Sequence, residues 1–388
     1  MSPSLPLLSA FYAVLLGALG ALVPFWGPRL EATGLDGRQL GLVMAMLPIG
    51  RLVASPLWGV LADRYRMAGL LLRLGCAIAL VGAIVFLFVH SLTGALLAMF
   101  LFSIGRTSIG PLLDATVLVS LAERGRDRGD YGRVRLWGSV GFVVAVVLAG
   151  WLNDWGRVEP LLLGVMLLAV CLGMCWMFPL RGEGGPAPIL PALRQMAMER
   201  FLRPFLALSA LQALTLSVYD TFFSVHVRAL GLPSMVTSGA VALGVVAEIA
   251  VMRAGAPLLA RFGPARLLTI ATAASVPRWI GTALVRDPVV LMALQTLHGV
   301  SFGVFWIAGV QVMAVRAPAV LAASAQSLFV AASYGLGALV GALVAGELRQ
   351  RFGTEAMFLS LGIFSSLAFF CALWLERIER APAEVAPG

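Results

Sequence analysis

The sequence predicts an all-α membrane protein of twelve transmembrane helices arranged as two similar six-helix halves. Three observations lead there: a composition too apolar for a water-soluble domain, twelve separable apolar runs, and a repeat at a constant offset. The chain of 388 residues is 60% hydrophobic and only 12% charged, with a mean hydropathy of +0.95. About 20 apolar residues cross a hydrocarbon core of ~30 Å, so this length holds about twelve spans joined by short loops.

Bounded by charge or by Pro/Gly, the runs fall at 7–28, 39–62, 68–90, 92–120, 134–154 and 158–180. A second set falls at 202–226, 235–260, 265–285, 288–315, 320–347 and 355–376. Between them, residues 181–201, "RGEGGPAPILPALRQMAMERF", form the one long polar, Pro/Gly-rich stretch. The expected organisation is a first half at 1–180, a cytoplasmic linker at 181–201, a second half at 202–376 and a short tail at 377–388. At an offset of about 197 residues Phe25 matches Phe222, Gly34-Leu35 matches Gly231-Leu232, and Arg64 matches Arg261. Trp137-Gly138 likewise matches Tyr334-Gly335. A parallel repeat of this kind relates two halves by an axis along the membrane normal and places a solute site between them near the midplane.

All 28 basic residues are arginine, and 19 acids leave a formal net charge of +9. With the N-terminus inside, the arginines concentrate in the cytoplasmic loops, most clearly in "AERGRDRGDYGRVR" as against "NDWGRVEP". Both termini are therefore expected in the cytoplasm, at a bacterial inner membrane. The excess charge reports topology, and no nucleic-acid partner is expected. The N-terminal "MSPSLPLLSAFYAVLL" has no basic n-region and reads as a retained first helix. Cys76, Cys171, Cys175 and Cys371 lie within apolar runs without a disulfide framework or zinc spacing, and read as small apolar filling. With no lysine, no convergent nucleophile and base, and no metal-ligand cluster, the sequence points away from an enzyme. No cofactor or metal is expected.

Ionisable residues inside spans are costly and mark functional sites. Here they are Arg51, Arg106, Asp114, Asp220, Glu248, Arg253, Arg278 and His298. Asp114 and Arg135 lie at similar depth on consecutive antiparallel spans, a spacing that suits an ion pair offering donors and acceptors to a polar solute. Arg135 also suits snorkelling to the interface. Glu248, Arg278 and His298 lie near the middle of three successive spans, where an acid, a fixed cation and an imidazole suit a proton relay. Arg51 and Glu248 are repeat-equivalent, placed either to pair across a central cavity or to neutralise one another structurally. Phe142, with Phe25-Trp26, Phe222-Phe223 and the "FGVFW" stretch at 302–306, is a candidate wall for an aryl-binding cavity; belt or packing aromatics are the alternative.

In the loop between spans 2 and 3, "GVLADRYRMAGLLL" carries Gly59, Asp63 and Arg64. This resembles the G-x-x-x-D-R-x-G-R signature of the major facilitator superfamily, without its second glycine, and the resemblance implies an aspartate that helps lock the cytoplasmic gate. "YGRVRLWGSVG" at 131–141 and "PLLDA" at 111–115 resemble spans 5 and 4 of its lactose permease, nucleoside permease and phenylpropionate permease branch. Arg278 and "TLH" at 296–298 are similar to spans 9 and 10 of that branch. The resemblance implies a substrate site at Asp114, Arg135 and Phe142, and a proton-coupling group at Glu248, Arg278 and His298. Two departures stand out: Ser301 replaces an acid one turn beyond the histidine, and Tyr334 replaces the lysine that would partner Asp220.

The expectation is a secondary transporter of a small-molecule substrate in the lipid bilayer, working as a monomer and coupled to H+. Uptake of an aromatic carboxylate, a nucleoside or a small glycoside is the first reading. Proton-coupled export of amphipathic compounds is the second, weakened because span 5 has no proline.

Overall fold

The computed structural model describes residues 3–65, 68–126, 130–156, 158–177, 201–316 and 322–380. In the first half each apolar run becomes one helix: α1 (Leu5–Ala32), α2 (Gly37–Tyr65), α3 (Ala68–Leu87), α4 (Leu92–Ala122), α5 (Tyr131–Trp155) and α6 (Pro160–Cys175). Their ends carry local signals. Ser91 Oγ accepts the Gly94 N–H at the start of α4, and Ser4 does the same for Leu7 in α1.

The second half is more broken. α7 (Leu202–Ala229) and α8 (Ser234–Arg253) are followed by a short α9 (Gly255–Phe262) and by α10 (Pro264–Leu284). The next span is α11 (Pro288–Leu294), a π-helical turn at Gly299–Val304 and α12 (Phe305–Arg316). Then come α13 (Ala322–Val330), a second π-helical turn at Ala331–Gly337 and α14 (Ala338–Arg380). The apolar rod Ala325–Arg380 has 56 residues. At 1.5 Å per residue that is ~84 Å, far more than one bilayer crossing. It is two spans joined at Gly353, whose φ of 81° breaks the helix. Among the described residues, eight helical segments are long and apolar enough to cross a membrane by themselves. The linker expected at 181–201 lies outside the described residues except Phe201, and helix continues to Arg380, past the expected start of the tail.

Within the first half α1 packs on α5 and α6, and α4 packs on α2 and α3. In the second, α14 packs on α7 and α10, and α8 packs on the first π-helical turn. Contacts between halves run through α2 with α14, α5 with α8 and α1 with α7. Trp26 and Phe102, 4.9 Å apart edge to face, anchor one core, and Phe205 with Phe329 at 5.6 Å anchors the other. Phe88, Val144, Met166, Ile363 and Phe370 are exposed, as side chains facing lipid are.

The repeat is written into the backbone. Gly34 and Gly231 end α1 and α7 with φ of 85° and 72°, and the equivalent pair Gly156 and Gly353 have 71° and 81°. Each is a positive-φ position at a helix end that a side chain would strain. Gly231→Ala is expected to lower stability by about 1 kcal/mol, read as a lower Tm in detergent.

Candidate functional site

A central cavity of about 380 Å3 lies between the halves, walled by α1, α2, α4 and α5 on one side and by spans of the second half on the other. Arg51, Arg106, Arg135 and Phe142 line the first wall, and Asp220, Glu248, His298 and Tyr334 the second. Of the ionisable residues singled out in the sequence, these six charged or titratable groups meet in one space: Arg51, Arg106, Arg135, Asp220, Glu248 and His298. Arg253 does not join them; it sits in the last turn of α8 with its side chain exposed.

Glu248 and His298 face one another, with Glu248 Oε2 3.5 Å from His298 Nε2 and both side chains partly accessible from the cavity. The π-helical turn that follows His298 sets this geometry. It brings Gly299 against the Ala247 backbone and Gly303 beside Glu248, so that α8 and the turn run in contact. A π-helical insertion re-aims side chains by adding one residue to a turn, and such insertions concentrate at functional sites. The imidazole stacks on Phe302 at 5.0 Å and on Tyr219 at 6.0 Å.

Arg278, expected in the same relay, is turned elsewhere. It is fully buried and off the cavity wall, donating from Nε to Gln295 Oε1 at 3.0 Å and from Nη1 to Ser301 Oγ at 3.1 Å. Its guanidinium also lies 4.5 Å over the Tyr219 ring. Ser301 therefore holds the cation with a hydroxyl where an acid was missing from the sequence pattern. Gln212 ties in as well, donating to Ser275 Oγ at 2.8 Å and to the Ser301 carbonyl at 2.9 Å.

The expected pairing of Asp114 with Arg135 is mediated by tyrosine. Asp114 is off the cavity wall and accepts hydrogen bonds from Tyr12 Oη and from Tyr131 Oη, the latter at 3.0 Å. Arg135 lies 5.3 Å over the Tyr12 ring and reaches the cavity. Tyr12 stands between the two charges, so its ring, and not a carboxylate, faces the guanidinium. Of the aromatic candidates, Phe142, Trp26, Phe302, Phe305 and Trp306 line the cavity, whereas Phe25, Phe222 and Phe223 are buried elsewhere. The side chains of Gly59, Asp63 and Arg64 lie outside the described residues; the backbone of α2 stays helical through Tyr65. Cys171 and Cys175 are buried as expected, and Cys175 Sγ lies 3.5 Å from Cys76 Sγ.

The cavity is closed at the end remote from the chain termini, and the sequence reading had not singled out the residues responsible. Asp154, at the end of α5, accepts the backbone N–H groups of Ser234 at 2.7 Å and Met235 at 2.8 Å, capping α8 across the interface. Asn153 Nδ2 donates to Ser234 Oγ at 2.6 Å. The equivalent step in the repeat is Gln350, whose Oε1 accepts the Gly37 N–H at 2.8 Å at the start of α2. Arg38 with Glu347 and Arg349 with Glu31 add ion pairs between the halves. Close by, a Cβ on Gly41 would come within 2.6 Å of the Ala342 carbonyl oxygen, so α2 and α14 touch backbone to backbone. The offset of the repeat was the available signal, because it carries Gly37 onto Ser234 and Asn153 onto Gln350.

Two pseudo-symmetric helical halves around a charged central cavity, sealed at one end, are the architecture of a membrane transporter of the major facilitator type. The chain belongs to the MFS_1-like family, whose model matches residues 5–360. It is 30% identical over 384 residues to the maltose permease of Geobacillus stearothermophilus, covering 96% of this chain and 95% of that one. It is 27% identical over 349 residues to the probable 3-phenylpropionic acid transporter of Escherichia coli (strain K12), covering 86% of this chain and 88% of that one. The fold matches the crystal structure of the nucleoside transporter NupG with a TM-score of 0.85 at 18% identity, over 97% of this chain and 99% of that one.

Asp154→Ala is expected to loosen the closed end. Labelling of a cysteine introduced at Thr237 by an impermeant maleimide should rise about 2- to 30-fold, the range a lost helix cap implies. Ser301→Ala removes one acceptor from a buried guanidinium and should destabilise the second half by about 1.5–3 kcal/mol, measured by thermal unfolding in detergent.

Proposed function

We propose that the protein takes up a small organic solute in symport with a proton, exchanging that proton at Glu248 and His298. The observation that carries this reading is their placement: a carboxylate and an imidazole 3.5 Å apart, on the wall of the cavity that receives the solute. Both groups can titrate, whereas Arg278 is a fixed cation held by Gln295 and Ser301 and acts as their constant electrostatic background. With both termini in the cytoplasm of a bacterial inner membrane, the end sealed by Asp154 and Gln350 faces outward. The cavity then faces the cytoplasm, and the opposite, outward-facing state requires those caps to part while the cytoplasmic end closes, with Gly59, Asp63 and Arg64 at its gate. Each molecule contains a complete cavity between its own halves, which fits function as a monomer.

Arg135 and Phe142 supply a charged and an aromatic contact for the solute, and Asp114 positions the Tyr12 ring that Arg135 lies over. An aromatic carboxylate, a nucleoside and a small glycoside all fit a cavity of this size and mixed lining. The relatives named for maltose and for 3-phenylpropionic acid fall within two of these classes.

The test is the external pH of de-energised cells expressing the protein, recorded as each class of solute is added. Alkalinisation with one class is the expected result. No alkalinisation with any class, together with energised efflux of a lipophilic cation, overturns uptake in favour of export. Glu248→Gln should keep solute exchange across the membrane while accumulation falls at least ~10-fold, and Arg135→Ala should lose solute binding while remaining in the membrane.

A further inference from the structure

The second intramembrane charge cluster of the cavity has no part in the proton reading. Arg51 on α2 and Arg106 on α4 belong to adjacent helices joined by two hydrogen bonds. Ser103 Oγ donates to the Leu47 carbonyl at 2.6 Å, and Trp58 Nε1 donates to the Ile104 carbonyl at 2.9 Å. Gly50 sits against Ser103, where a Cβ would come within 2.4 Å of its hydroxyl. These contacts hold Arg51 and Arg106 on the same wall and near enough to interact electrostatically. Asp220 enters the same field from α7, its side chain open to the cavity.

Among the described residues, neither guanidinium has a hydrogen-bond or ion-pair acceptor. Arg51 lies only over the face of Tyr334, at 5.0 Å to the ring centroid. Two guanidiniums and one carboxylate thus share this part of the cavity, so an anion entering it meets cationic donors that have no acceptor of their own. Arg278, deep in the second half, is differently placed because it has its acceptors.

From this corner an aromatic ladder runs toward the titratable pair. Tyr334 meets Trp306 at 5.7 Å, Trp306 meets Phe302 at 6.3 Å with rings 18° apart, and Phe302 stacks on His298 at 5.0 Å. All four side chains line the cavity. A flat apolar group seated along Trp306 and Phe302 would place a carboxylate attached to it at Arg51 and Arg106.

Resting on the transport reading above, we propose that Arg51 and Arg106 form a carboxylate subsite, and that the solute is an aryl carboxylate whose ring stacks on Phe302 and Trp306. The carboxylate accepts from both guanidiniums, and Asp220 excludes a second anion. Neutral glycosides and nucleosides offer hydroxyl and carbonyl acceptors but no negative charge for the two guanidiniums, and are disfavoured on that account.

The test is binding to the purified full chain in detergent, read from tryptophan fluorescence, with phenylacetate, 4-phenylbutanoate and their primary amides as probes. Each amide keeps the shape of its acid and removes the charge. The acids should bind at least ~10-fold more tightly than the amides, and Arg51→Gln and Arg106→Gln should each erase that difference. Phe302→Leu should weaken acid and amide alike, which separates stacking from charge. The acid-to-amide ratio in the unmodified protein does not depend on whether a variant folds. Equal binding of acid and amide, or tight binding of maltose or uridine with none of the acids, overturns the subsite. Binding of the acids without proton-linked accumulation in vesicles leaves the subsite intact and overturns the symport reading instead.

Discussion

Charge has nowhere to go in the hydrocarbon core except against a partner or into water, and that constraint organises this molecule. An arginine at the centre of a span costs about 2.5–3.5 kcal/mol when it faces lipid. The protein answers in three ways. Arg278 is wrapped in neutral acceptors and the face of Tyr219. Asp114 is satisfied by two tyrosine hydroxyls. Arg51, Arg106, Asp220, Glu248 and His298 are turned onto the central cavity.

The closed end shows a second use of exposed backbone polarity. A helix N-terminus presents unsatisfied N–H groups and a partial positive charge. Asp154 takes up those groups on α8, and Gln350 takes up one on α2. Each cap joins one half to the other, so sealing that end and satisfying two helix termini are the same event. The caps are hydrogen bonds at a wettable surface, weak enough to exchange for water. Behind them the close contact of α2 with α14 around Gly41 supplies shape without a polar barrier to separation.

The halves share a backbone plan and divide their labour. The first half has regular helices and holds its arginines by helix crossing. The second half carries both described π-helical turns, at Gly299–Val304 and Ala331–Gly337, one after His298 and one containing Tyr334. The added residue in each turn lets the second wall present its aromatic ladder and its titratable pair to the same cavity.

Much of the fold was legible in the sequence because hydropathy over a span and charge at its ends follow from the bilayer's thickness, whatever the neighbouring helices do. The helical membrane architecture, the repeat and the short list of intramembrane charges all came from that one-dimensional signal. Partners did not, because depth along a helix says nothing about rotation around it. Asp114 and Arg135 share a depth, yet Tyr12, from α1, separates them. Arg278 and His298 share a depth, yet one faces Gln295 and Ser301 and the other faces Glu248. Likewise the caps at Asp154 and Gln350 look like ordinary loop-edge residues until α5 meets α8 and α14 meets α2. The sequence by itself determined which charges must be resolved inside the membrane; only the packing of helices about their axes decided which are paired with one another and which stand open to a solute.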